Sequence, residues 1–108
     1  MNDKRRNEIR TLEALLENQA RPLIDQLRAL IEKAAASYSD LRDAEQDSLD
    51  ALPESLQEGQ RAEAMDESLS CLDDVLSKLD EWKDSLDGMA TELTEVVEKS
   101  DEAKGANP

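Results

Sequence analysis

The chain has no histidine and no phenylalanine, one cysteine, one tryptophan and one tyrosine, and only three glycines and three prolines in 108 residues. Each shortage excludes something. Without histidine the commonest general base is gone, together with every histidine-containing metal triad and the Glu-x-x-His motif of di-iron bundles. A lone Cys71 closes no internal disulfide and supplies no structural zinc or iron–sulfur site within one chain. The glycines at 59, 88 and 105 are isolated, so no phosphate-cradling loop is encoded. At 2% aromatic residues the composition suits helical bundles, not sandwiches or barrels. No apolar run is long enough to cross a membrane. Met1-Asn2-Asp3-Lys4-Arg5-Arg6 leads into mixed polar sequence and not into the apolar stretch of a secretory signal. These absences predict a cytoplasmic protein with no metal, no cofactor and no enzymatic activity.

What is present is a seven-residue apolar repeat. It runs through Ala62, Met65, Leu69, Leu72, Leu76, Leu79, Lys83, Leu86, Ala90, Leu93 and Val97 in alternating steps of three and four. That spacing places all eleven on one stripe of a helix lying along a partner helix. A second column, Val75, Trp82, Met89 and Val96, widens the stripe beyond a two-helix seam. Lys83 interrupts the apolar run; it either sets register or extends its stem outward.

Upstream, Ile9, Leu12, Leu16, Ala20, Leu23, Leu27, Leu30, Ala34 and Leu41 form one helical column, with Ile24, Ile31, Tyr38 and Leu52 beside it. Asp3 is the expected N-cap, and Lys4-Arg5-Arg6 oppose the helix dipole there. Pro22 removes a backbone donor and crowds the carbonyl of Asn18, which predicts a kink or short break near residues 18–22. Pro53 and Gly59 punctuate a turn over residues 52–59, with Gly59 available for a left-handed position and Leu52 and Leu56 plugging the hairpin end. The predicted fold is therefore all-α: one antiparallel two-helix hairpin domain, coiled-coil-like. Helix one spans about 3–51, helix two about 60–98, and residues 99–108 form a frayed tail.

A hairpin of this kind leaves apolar stripes uncovered, which predicts a homo-oligomer, most simply a homodimer. Val75, Trp82, Met89 and Val96, with Ile24, Ile31 and Tyr38, are the candidate oligomer or partner interface. Charge is lopsided: residues 1–53 carry eleven acids and eight bases, net −3, and residues 54–108 sixteen acids and five bases, net −11. Asp66, Glu67, Asp73, Asp74, Asp80, Glu81, Asp84 and Asp87 line the outer face of helix two. Such a face argues against direct nucleic-acid binding and against anionic membranes. It serves solubility, or it imitates a row of phosphates and occupies a basic groove. Residues 84–88 hint at a calcium loop but lack the remaining ligands and lie inside the heptad repeat. Cys71, on the flank of the seam with no base near in sequence, reads as a small residue on a partly covered flank rather than a reactive or cross-linking thiol.

The stretch Leu52-Pro53-Glu54-Ser55-Leu56-Gln57, followed by Arg61-Ala62-Glu63-Ala64-Met65, resembles a group of small acidic helical-hairpin proteins of bacteriophages, prophages and mobile elements. The likeness covers residues 40–82, its turn being the most specific part, and brings no catalytic residues with it. It implies a non-enzymatic interaction module that binds another protein in a bacterial cytoplasm. The alternative is a DNA-mimic inhibitor whose acidic helix two occupies a basic nucleic-acid-binding enzyme.

Overall fold

Asn2, not Asp3, starts the first helix: its Oδ1 accepts the Arg5 N–H at 2.9 Å and its carbonyl accepts the Arg6 N–H at 3.1 Å. Asp3 falls one place later, in the first turn, where its carboxylate complements the helix dipole and meets Arg6 Nη1 at 3.3 Å. The computed structural model describes residues 1–105, which are helical apart from the first two residues and the turn region, with no strand among them. Helix α1 spans Asp3–Leu15, a π-helical turn covers Leu16–Ala20, and α2 spans Arg21–Asp50. A 3-10 turn at Glu54–Leu56 leads into α3, Gln60–Gly105. The expected pair of long helical stretches and the turn between them are present.

The wide turn, Leu16–Ala20, lies just before Pro22. In a regular α-helix the proline ring would crowd the carbonyl of Asn18. Immediately before Pro22 the Arg21 N–H donates to Leu16 O, five residues back, and the coil takes in an extra residue. A bidentate pair spans this turn, with Arg21 Nε and Nη2 donating to Glu17 Oε2 and Oε1 at 2.7 and 2.9 Å. The hydrogen bond from Arg21 holds the Glu17 carboxyl below its ordinary range.

Contacts gather into two compact units, Met1–Ala29 with Asp84–Pro108, and Leu30–Lys83. In the Leu30–Lys83 unit the end of α2, the turn and the start of α3 fold back antiparallel. Arg42 Nε donates to Asp73 Oδ1 at 3.0 Å, and Lys83 Nζ lies 3.3 Å from Glu32 Oε1. Lys83 thus leaves the apolar seam by extending its stem to a carboxylate on α2. Ile31, Ala62 and Leu69 are buried here, with Met65, Leu72, Leu76 and Leu79 half-buried. In the other unit Leu86 and Leu93 are buried, flanked by half-buried Ala90 and Val97. All eleven positions of the α3 repeat are buried or half-buried, as the heptad spacing implied.

The turn departs from expectation in two respects. Gly59 has no left-handed φ; it precedes α3, its N–H donating to Leu56 O at 3.2 Å and its carbonyl accepting the Glu63 N–H at 3.1 Å. Leu56 is 48% exposed and plugs nothing, because the 3-10 turn points it outward; only Leu52 is half-buried.

A second correction concerns the tail. Residues 99–105 continue α3 without fraying, while 106–108 lie outside the described residues. The cause is an ionic clasp onto α1. Lys104 Nζ lies 2.8 Å from Glu13 Oε1 and 2.8 Å from Asp101 Oδ1, and Arg6 Nε donates to the Lys104 carbonyl at 3.0 Å. Arg6 therefore satisfies a carbonyl that the helix end leaves without an internal donor, a favourable position for a cation.

The clasp carries a pH signature. The hydrogen bond from Lys104 holds the Asp101 carboxyl below the usual aspartate range, with Glu13 a further contributor. Stability from this depressed group is present above the unfolded value of about 3.9 and is lost as pH falls through the folded value. Lys104 is raised, first by Asp101 and then by Glu13, so its contribution is present below about 10.4 and fades at higher pH. Asp101→Asn should lower the urea midpoint at pH 7. That deficit should shrink below about pH 4 and again in strong alkali. A deficit constant across pH would show that the side chain acts through something other than its charge.

Candidate interaction surfaces

On α3 the second column divides from the seam as its spacing predicts: Val75 is half-buried, while Trp82 (49% exposed), Met89 and Val96 stand at the surface. On α2 the expected assignment is reversed. Ile31, assigned to an interface with a further chain, is 3% exposed and belongs to the hairpin's own core, with Ile24 half-buried. Leu12, Leu23, Leu30 and Leu41, assigned to the seam, are exposed, Leu23 at 64% and Leu30 at 62%. Tyr38 lies at the surface as expected.

The physical reason is that α2 offers three neighbouring apolar columns, and α3 can cover only part of them. The inward row is Ala20, Ile24, Leu27, Ile31 and Ala34, in steps of four and three, drawn from both columns that the sequence suggested. Flanking ion pairs set the rotation that selects it. Arg28 pairs with Asp87, and Arg21 Nη2 donates to Thr94 Oγ1 at 3.1 Å, in the Met1–Ala29 unit; Arg42 pairs with Asp73 in the other. With Arg21, Arg28 and Arg42 turned toward α3, Leu23, Leu30 and Leu41 face away.

The acidic residues are also sorted. Asp66, Glu67, Asp73, Asp74, Asp80, Glu81, Asp84 and Asp87 are all exposed, but Asp73 and Asp87 hold arginines of α2 and so have a structural task. Residues 84–88 are continuous helix, and among the described residues no group of three or more acids or cysteines is arranged to hold a metal ion. Cys71 is exposed.

A groove of about 560 Å³ opens between α2 and α3 in the Leu30–Lys83 unit, lined by Ile31, Glu32, Ala35, Ala36, Ser39, Leu76, Ser77, Leu79, Asp80 and Lys83. It exists because α2 turns small here. Ala35, Ala36 and Ser39 leave room above Leu76 and Leu79 that larger residues would fill. Sequence periodicity marked none of these α2 positions as special; the small residues at 34–37 and 39 were its only signal.

These features define an all-α helical pair with apolar columns its own fold leaves uncovered. Residues 4–107 match the CA109-like family, described as Ribosome biogenesis protein C1orf109-like, and the chain belongs to that family. No curated protein and no solved structure matches it. The family match overturns the phage and mobile-element resemblance, and with it both functional readings that followed, the phage interaction module and the DNA mimic. The misleading signal has a plain origin. Leu52-Pro53-Glu54-Ser55-Leu56-Gln57 encodes a proline-started 3-10 turn between antiparallel helices, a geometric need that unrelated hairpins share.

The reassigned columns can be tested by stability. Ile31→Ala should cost about 2–4 kcal/mol in urea unfolding, whereas Leu30→Ala should stay within about 0.5 kcal/mol. Equal effects would return Leu30 to the core.

Proposed function

We propose that this chain is a non-enzymatic adaptor of ribosome assembly, which binds protein components of ribosome precursors and reaches RNA only through them. The observation that carries this reading is the pair of uncovered apolar columns, Trp82, Met89 and Val96 on α3 and Leu23, Leu30 and Leu41 on α2. Exposed large apolar side chains in repeating rows mark a surface that another helix covers. Membership of a ribosome biogenesis family supplies the setting. Direct RNA contact is disfavoured by a net charge of −14, because phosphate binding draws on clustered Lys and Arg. In the same reading the free protein is a homodimer joined through the α3 column, and Pro22 bends helix one at the wide turn.

The test is a tagged full-length chain followed through sucrose gradients of cell extract. Co-sedimentation with ribosome precursors is expected. Trp82→Ser combined with Val96→Ser should abolish it while circular dichroism stays unchanged. Light scattering should give twice the 12.0 kDa chain mass for the unsubstituted protein and a monomer for the double variant. Absence from the precursor fractions, or micromolar binding of the purified chain to naked ribosomal RNA at physiological salt, would contradict the reading.

A further inference from the structure

Within each unit, pairs between α2 and α3 recur at seven-residue steps of the sequence, and one step has none. Arginines stand on α2 at 21, 28 and 42, seven and fourteen residues apart, and the intervening position is Ala35. On α3 the facing positions are Thr94, Asp87 and Asp73, with Asp80 at the intervening step. Ala35 and Asp80 line the same groove of about 560 Å³, within the Leu30–Lys83 unit. The nearby cation, Lys83, is engaged by Glu32 at 3.3 Å, and among the described residues Asp80 has no ion-pair partner. The repeat thus provides an acceptor, and the space a long side chain would fill, without the side chain.

We propose that this notch receives an arginine carried on an amphipathic helix of a basic partner protein. The idea rests on the adaptor reading above and names the chemistry of the partner. Arginine fits better than lysine. Its stem can lie over Leu76 and Leu79 while its planar guanidinium meets the Asp80 carboxylate through two parallel hydrogen bonds. Apolar neighbours on the same helix would cover Ala35 and Ala36. Proteins that hold ribosomal RNA are rich in arginine for phosphate binding, and the net −11 on residues 54–108 would steer them to this hairpin. A nucleic acid would bring phosphate against Asp80 and does not fit the apolar floor.

The test uses the full-length chain and a fluorescein-labelled designed helix of four heptads, with leucine at its seam positions and one central arginine. A matched peptide carries citrulline, which keeps the shape and removes the charge. Anisotropy at physiological salt should show the arginine peptide binding about tenfold tighter, the gain of a charge-assisted bidentate pair. Asp80→Asn should reduce that advantage to less than about twofold. Ala35→Arg, which supplies the missing arginine from α2, should weaken both peptides while helicity is unchanged. Equal binding of the two peptides, or an advantage that survives Asp80→Asn, overturns the proposal. So does a dimer that Ala35→Arg dissociates in light scattering, since a second copy would then own the notch. Gradient co-sedimentation measures the adaptor reading separately, so the two can fail independently.

Discussion

Burial of the α3 heptad stripe against helix one is the contact on which everything else depends. Ile31, Ala62 and Leu69 are buried in the Leu30–Lys83 unit, and Leu86 and Leu93 in the other. No polar residue is buried among the described residues, so the seam contains no internal network to specify it. Its energy is apolar contact alone, roughly 25 cal/mol for each Å² removed from water. A two-helix protein of this length has little such area to spare. A single large-to-small change in the seam therefore removes a sizeable share of its stability.

Apolar contact is not directional, and the polar flanks supply what it lacks. Arg42 with Asp73, Lys83 with Glu32, Arg28 with Asp87, and Arg21 with Thr94 match rising positions on α2 to falling positions on α3. Each pair is partly solvent-exposed and contributes little on its own. Within each unit they define which rotation of α2 is compatible with α3, because slipping by one residue breaks the pairs of that unit. At the chain ends the clasp of Arg6, Glu13, Asp101 and Lys104 does the same for the last turn of α3. Two of the eight acids that look like a solvated face, Asp73 and Asp87, thus hold register.

The same rotation creates the surfaces that suit an adaptor. Turning Arg21, Arg28 and Arg42 inward turns Leu23, Leu30 and Leu41 outward, and the α3 stripe is too wide for one partner to cover Trp82, Met89 and Val96. The seam leaves an outer apolar column uncovered on each of the two helices. Stability and exposed apolar surface therefore arise from one arrangement. An acidic exterior of this kind opposes non-specific association through those columns.

Helicity, the turn over residues 52–59 and the identity of the α3 seam were legible in the sequence. An unbroken heptad with one apolar stripe has a single way to face inward, and proline ends a helix by covalent geometry. The assignment of helix one was not legible. Residues 23, 24, 27, 30, 31 and 34 are all apolar, and periodicity cannot tell which of three adjacent columns a partner will cover. Pairs separated by dozens of residues decide it. The helical end at residues 99–105 is likewise a tertiary outcome, since Glu13 and Arg6 lie nearly a hundred residues away. The groove at Ala35 belongs to the same class: an absent side chain leaves no periodic signal, and only the helix across from it reveals the space.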